Sequence, residues 1–132
     1  MAESLPIRVR RSQLGRVRGT GSAKAGVHHW YAERVTSIAL IPLTLWFVFS
    51  MVRLVGAAQE TVAVWAGRPW NTLLLLALIV MTFQHTALGI QVVIEDYVHE
   101  KWAMTFSVLA TKAACGLLAL LAGISVLKLA VW

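Results

Sequence analysis

A chain of 132 residues, 58% of them hydrophobic and only 14% charged, with a mean hydropathy of +0.71, excludes a disordered segment and argues against a water-soluble domain. The formal net charge of +6 is unevenly placed: seven of the twelve Lys and Arg (Arg8, Arg10, Arg11, Arg16, Arg18, Lys24 and Arg34) lie at or before Arg34, leaving five basic residues against four acidic ones in the remainder. A basic arm alone would suit nucleic acid, but membrane-length apolar runs follow it, so its charge is read as topological and no nucleic-acid partner is expected.

The arm occupies residues 1–25. About thirty polar residues precede the first apolar run, which is not the pattern of a secretory signal. Its Arg content, Ser12, Ser22 and single acid Glu3 resemble a transit peptide. The expectation is nevertheless that it is retained, which favours a bacterial cytoplasmic (inner) membrane, with a mitochondrial inner membrane as the alternative.

Three apolar runs follow, at residues 35–52, 71–94 and about 103–131. A membrane helix needs about 20 residues, so each is long enough once its flanks are included. The helices are expected at about 31–55, 70–95 and 103–131, with Pro42 inside the first, a position that a membrane bundle tolerates. The loop at 56–69 and the polar turn at 95–102 leave no room for another domain. Residues 26–132 therefore predict an all-α integral membrane protein of three transmembrane helices, up-down-up. The positive-inside rule places the N-terminus and the 95–102 turn in the cytoplasm and the C-terminus in the periplasm. Trp30 and Trp102 fall at the inner interface of this arrangement and Trp65, Trp70 and Trp132 at the outer one, as an aromatic belt requires; only Trp46 is mid-span.

Cys115, the single cysteine, lies in an apolar run, and packing is the expected role. Ala119, Ala122 and Gly123 give the third helix a small-residue face for close helix contact. Lys112 and Lys128 are expected to snorkel to opposite interfaces. Three helices make a thin bundle, and His85, Gln84 and Gln91 would otherwise meet lipid, so a membrane partner is expected.

His85 lies deep in the second span, where a polar side chain is costly and therefore a functional hypothesis by default. Eleven residues on come Asp96 and Tyr97. At 100° per residue His85 and Asp96 share a helix face, about 16 Å apart along the axis. Two readings of His85 stand on this evidence. It is a haem ligand, with Gly89 one turn away letting a flat macrocycle approach, or it is a histidine bonded to a neighbouring helix or lining a proton path. Asp96 and Tyr97 either meet a quinone head group at the water edge or simply end a helix there. His28 and Arg34 suit an anionic group at the inner face, or are ordinary flanking charge. No motif for covalent catalysis by this chain appears.

The run His85, Gly89, Gln91, Val92, Asp96, Tyr97 and the run Gly26, Val27, His28 followed by Arg34 resemble, at matching places in a three-helix chain, the small hydrophobic membrane-anchor subunit of succinate dehydrogenase, respiratory complex II. The resemblance spans roughly residues 26–132. It implies that His85 is an axial ligand of haem b, the other histidine coming from the larger cytochrome b anchor subunit. It implies that Tyr97 hydrogen-bonds ubiquinone or menaquinone, that Asp96 supports that site, and that His28 and Arg34 lie near the haem propionates. The partners implied are the larger anchor, an iron–sulfur subunit and a flavoprotein subunit, which carry the iron–sulfur clusters and the flavin, together with membrane lipid. No family role attaches to residues 1–25, His29 or Lys112. The alternatives are a fumarate reductase anchor running the reaction the other way, a non-redox membrane scaffold, and a small transporter or channel subunit.

Overall fold

The computed structural model of the chain describes residues 24–131. The basic arm up to residue 23 and Trp132, expected at the outer interface, lie outside the described residues. Helix α1 spans Lys24–Leu54, the short α2 Gln59–Ala66, α3 Pro69–Tyr97 and α4 Lys101–Val131. The structure is all-α among the described residues, and α1, α3 and α4 are each long and apolar enough to cross a membrane.

The long helices run past the ends of their apolar runs. α1 begins at Lys24, well before the first apolar run, because nothing in the AGVHHWYAER stretch breaks a helix. It continues without interruption through Pro42. α3 starts with Pro69 at its first position, where the missing N–H is no loss. It continues through the polar residues Glu95, Asp96 and Tyr97, and its last-turn carbonyl at Ile94 accepts the Val98 N–H at 2.8 Å. Only residues 98–100 separate α3 from α4, so these two helices are forced antiparallel.

α2 is the element that the apolar pattern does not announce. It lies in the loop between α1 and α3 and is anchored at both of its ends. Gly56 makes the turn after α1 at φ +77°, a conformation open to glycine at little cost. At the other end, Asn71 Nδ2 donates to the Trp65 carbonyl and Thr72 Oγ1 to the Ala66 carbonyl, both at 2.7 Å. Trp65 stacks on Trp46 of α1 with ring centroids 5.7 Å apart and planes inclined by 22°. Trp46, read from sequence as mid-span, is thus the partner of an aromatic residue in the loop.

α3 packs against both α1 and α4, and α2 sits on the ends of α3 and α4. Gly123 of α4 faces Leu76 of α3, where an added Cβ would stand 3.6 Å from Leu76 Cδ2. This is the close helix approach that small residues permit. The described residues bury almost nothing: only Ala66, Ala87 and Cys115. Large apolar side chains such as Ile38, Phe49, Phe106, Leu109 and Ile124 are exposed instead. In water that surface would be untenable; in a membrane it is lipid- or partner-facing.

Candidate functional site

The two ends of the structure are named here by their connections. The loop end carries α2. The turn end carries residues 98–100 and the start of α1. His85 lies twelve residues before the turn-end terminus of α3 and faces α1. Thr36 Oγ1 is 3.1 Å from His85 Nδ1 and Ser37 Oγ 3.5 Å from the same nitrogen. Both hydroxyls also reach back along their own helix. Thr36 Oγ1 stands 3.0 Å from the carbonyls of Ala32 and Glu33, and Ser37 Oγ donates to the Glu33 carbonyl at 2.8 Å. Such back-bonding to the preceding turn is how serine and threonine satisfy themselves inside helices. His85 is half-buried, and its Nε2 has no hydrogen-bond partner among the described residues.

Gly89, one turn nearer the turn end on the same face, has nothing within 4 Å of the place its Cβ would occupy. That face is therefore unfilled at Gly89, one turn from His85. A neutral imidazole with one nitrogen held and the other free is the donor that haem iron takes. The residues present fit the group.

Asp96 and Tyr97 are exposed on the last turn of α3, Tyr97 at 78%. His99 Nδ1 is 3.1 Å from the Tyr97 carbonyl, which steadies the turn and leaves the phenol outside it. At the other side of this end His28 is exposed, and the Arg34 guanidinium lies over the Trp30 ring, 5.5 Å from its centroid. That cation–π contact holds Arg34 near the interface. Two buried polar atoms here lack partners within the described residues: His29 Nε2 and Gln91 Oε1. Gln91 uses its amide nitrogen on Glu95, at 2.7 Å.

Of the residues singled out from sequence, the structure brings His85 against a neighbouring helix. It leaves Asp96, Tyr97, His28 and Arg34 exposed at one end. Sequence reasoning missed Thr36 and Ser37, whose only signal was two adjacent hydroxyls inside an apolar run. Lys112 lines a cavity of about 270 Å³ between α3 and α4, with Gln84, Leu88 and the buried Cys115.

A chain with three helices long and apolar enough to cross a membrane, and almost no buried core among the described residues, is an integral membrane protein. The sequence profile of the family described as Succinate dehydrogenase/Fumarate reductase transmembrane subunit matches residues 8–119, and the chain belongs to that family. It is similar to the succinate dehydrogenase hydrophobic membrane anchor subunit of Rickettsia bellii, at 35% identity over 67% of this chain and 70% of that one. The subunit of the same description from Paracoccus denitrificans is 33% identical over 69% of this chain and 73% of its own length. That from Rickettsia conorii is 33% identical over 67% and 71%. No solved structure matches the chain.

Proposed function

We propose that the chain anchors succinate dehydrogenase in the membrane, shares a haem b with the larger cytochrome b anchor subunit, and forms part of the quinone-reduction site. The observation that carries this reading is His85. It is a deep histidine, held at Nδ1 and free at Nε2, in a member of this family.

His85 Nε2 would hold the haem iron from this chain. A second histidine would have to come from the partner anchor, because His28, His29 and His99 all lie towards the turn end. Held between two histidines, a haem b would supply one-electron transfer rather than oxygen chemistry. His28 and Arg34 offer donors to its propionates. Tyr97 donates a hydrogen bond from its phenol to a quinone carbonyl oxygen, and Asp96 supports that site from beside it. The apolar helix faces around them accept the isoprenoid tail. Electrons arrive from succinate through the flavoprotein and iron–sulfur subunits, so this chain binds and positions while the flavin chemistry lies elsewhere. The turn end faces the cytoplasm of a bacterial inner membrane, a placement supported by the basic residues that precede α1.

The test is a dithionite-reduced minus oxidised spectrum of the gently solubilised complex, repeated with His85→Ala. A b-type band that disappears or shifts in the variant is the expected result; an identical spectrum sinks the ligand assignment. The family description covers fumarate reductase as well. Assaying succinate oxidation and fumarate reduction on the same complex separates the two directions.

A further inference from the structure

The hydroxyl pair on α1 bears on which nitrogen of His85 carries the proton. Each hydroxyl has one hydrogen. The Ser37 hydrogen is committed to the Glu33 carbonyl at 2.8 Å, and two carbonyls stand 3.0 Å from Thr36 Oγ1 to take its hydrogen. What both oxygens then turn towards Nδ1, from 3.1 and 3.5 Å, is lone pairs. The opposite arrangement is poorer on both sides. Nδ1 has a single in-plane lone pair and could accept from only one of the hydroxyls, which would then give up the carbonyl of its own helix, whereas one N–H can be shared between both oxygens.

The geometry points to Thr36 and Ser37 as positioning residues that fix His85 in its Nδ1–H tautomer and aim Nε2 away from α1 as a ready ligand. The inference rests on the reading of His85 as an axial ligand and goes beyond it, by naming what sets that ligand's protonation, orientation and strength. A metal-bound imidazole whose other N–H is hydrogen-bonded is a more basic ligand, and removing such a partner commonly costs about 10–100-fold in affinity for the group it holds. Here the acceptors are neutral hydroxyls rather than a carboxylate. A carboxylate at this depth would be a costly buried charge, and hydroxyls already satisfied by their own helix avoid it. The Ala32 and Glu33 carbonyls are part of the device, because they take the hydroxyl hydrogens and leave the oxygens as acceptors.

The experiment uses the whole complex carrying Thr36→Val with Ser37→Ala, a nearly isosteric loss of both hydroxyls. The readouts are haem retained per complex during transfer to apomyoglobin, and the haem midpoint potential by redox titration. The expected result is about 10-fold or greater loss of haem retention. The potential should move to a more positive value, because the weaker donor stabilises the oxidised iron less. Thr36→Ser should keep the wild-type potential. Among single variants Thr36→Val should shift it more than Ser37→Ala, following 3.1 against 3.5 Å; this ordering decides the matter if the double variant does not assemble. Unchanged retention and potential in the hydroxyl variants, with haem lost in His85→Ala, overturns the positioning role alone. Haem unchanged in His85→Ala overturns the ligand reading and this inference with it.

Discussion

The two ends of this molecule are finished to different degrees. At the loop end the chain completes itself. Gly67 presses against the end of α4, with the Ala130 Cα and the Leu129 carbonyl each 3.3 Å from where a Cβ would stand. Asn71 and Thr72 bond the carbonyls that end α2, and Trp65 stacks on Trp46. At the turn end the polar groups face outward or stand unpaired: Asp96 and Tyr97 are exposed, while His29 Nε2 and Gln91 Oε1 are buried without partners among the described residues. A buried polar atom left unpaired costs about 1–3 kcal/mol, and this end carries two among the described residues. The loop end is a structural closure. The turn end is left open, its polar groups exposed or unpaired among the described residues.

That contrast breaks down if substitutions at the two ends act on the same property. The largest effect should come from Gly67→Val. Its side chain meets backbone atoms that cannot turn aside, so the complex should lose about 1–3 kcal/mol of stability, read as a lower melting temperature, with turnover per intact complex unchanged. Tyr97→Phe should do the reverse. Loss of one hydrogen bond to substrate slows quinone reduction by about tenfold, with melting temperature and haem content as in wild type; equal turnover would remove Tyr97 from the site. Asn71→Leu removes the bond to the Trp65 carbonyl and should lower stability by about 1 kcal/mol. A larger loss is not expected, because the Arg68 N–H also donates to that carbonyl, at 3.3 Å. A comparably small effect should be that of Gly56→Ala, about 1 kcal/mol for holding a side chain at φ +77°. Thermal unfolding of the purified complex checks both, and any change in quinone kinetics from these loop-end variants would count against the division.

The spans were legible because lipid imposes one simple demand, some twenty apolar residues in a row, and residues 35–52, 71–94 and 103–131 meet it. Helix ends were less so. The EDY segment reads as a polar turn but continues α3, since polarity marks where water begins and not where a backbone stops being helical. α2 was hidden because eight residues in a loop carry too little periodicity to stand out. The site was half legible. His85, Asp96 and Tyr97 stand out by depth and spacing along one helix. Thr36 and Ser37 do not, because which side of α1 meets α3 depends on how two helices rotate against each other, and neither sequence alone states that angle.

The near absence of a buried core has a consequence for the life of the chain in the cell. With only Ala66, Ala87 and Cys115 shielded among the described residues, little cooperative folding energy belongs to the subunit by itself. Its folded population is then set by the concentration of its partners, as for any obligate subunit. The supply of the other subunits of the complex, more than the rate of its own synthesis, then fixes how much of this chain stays folded.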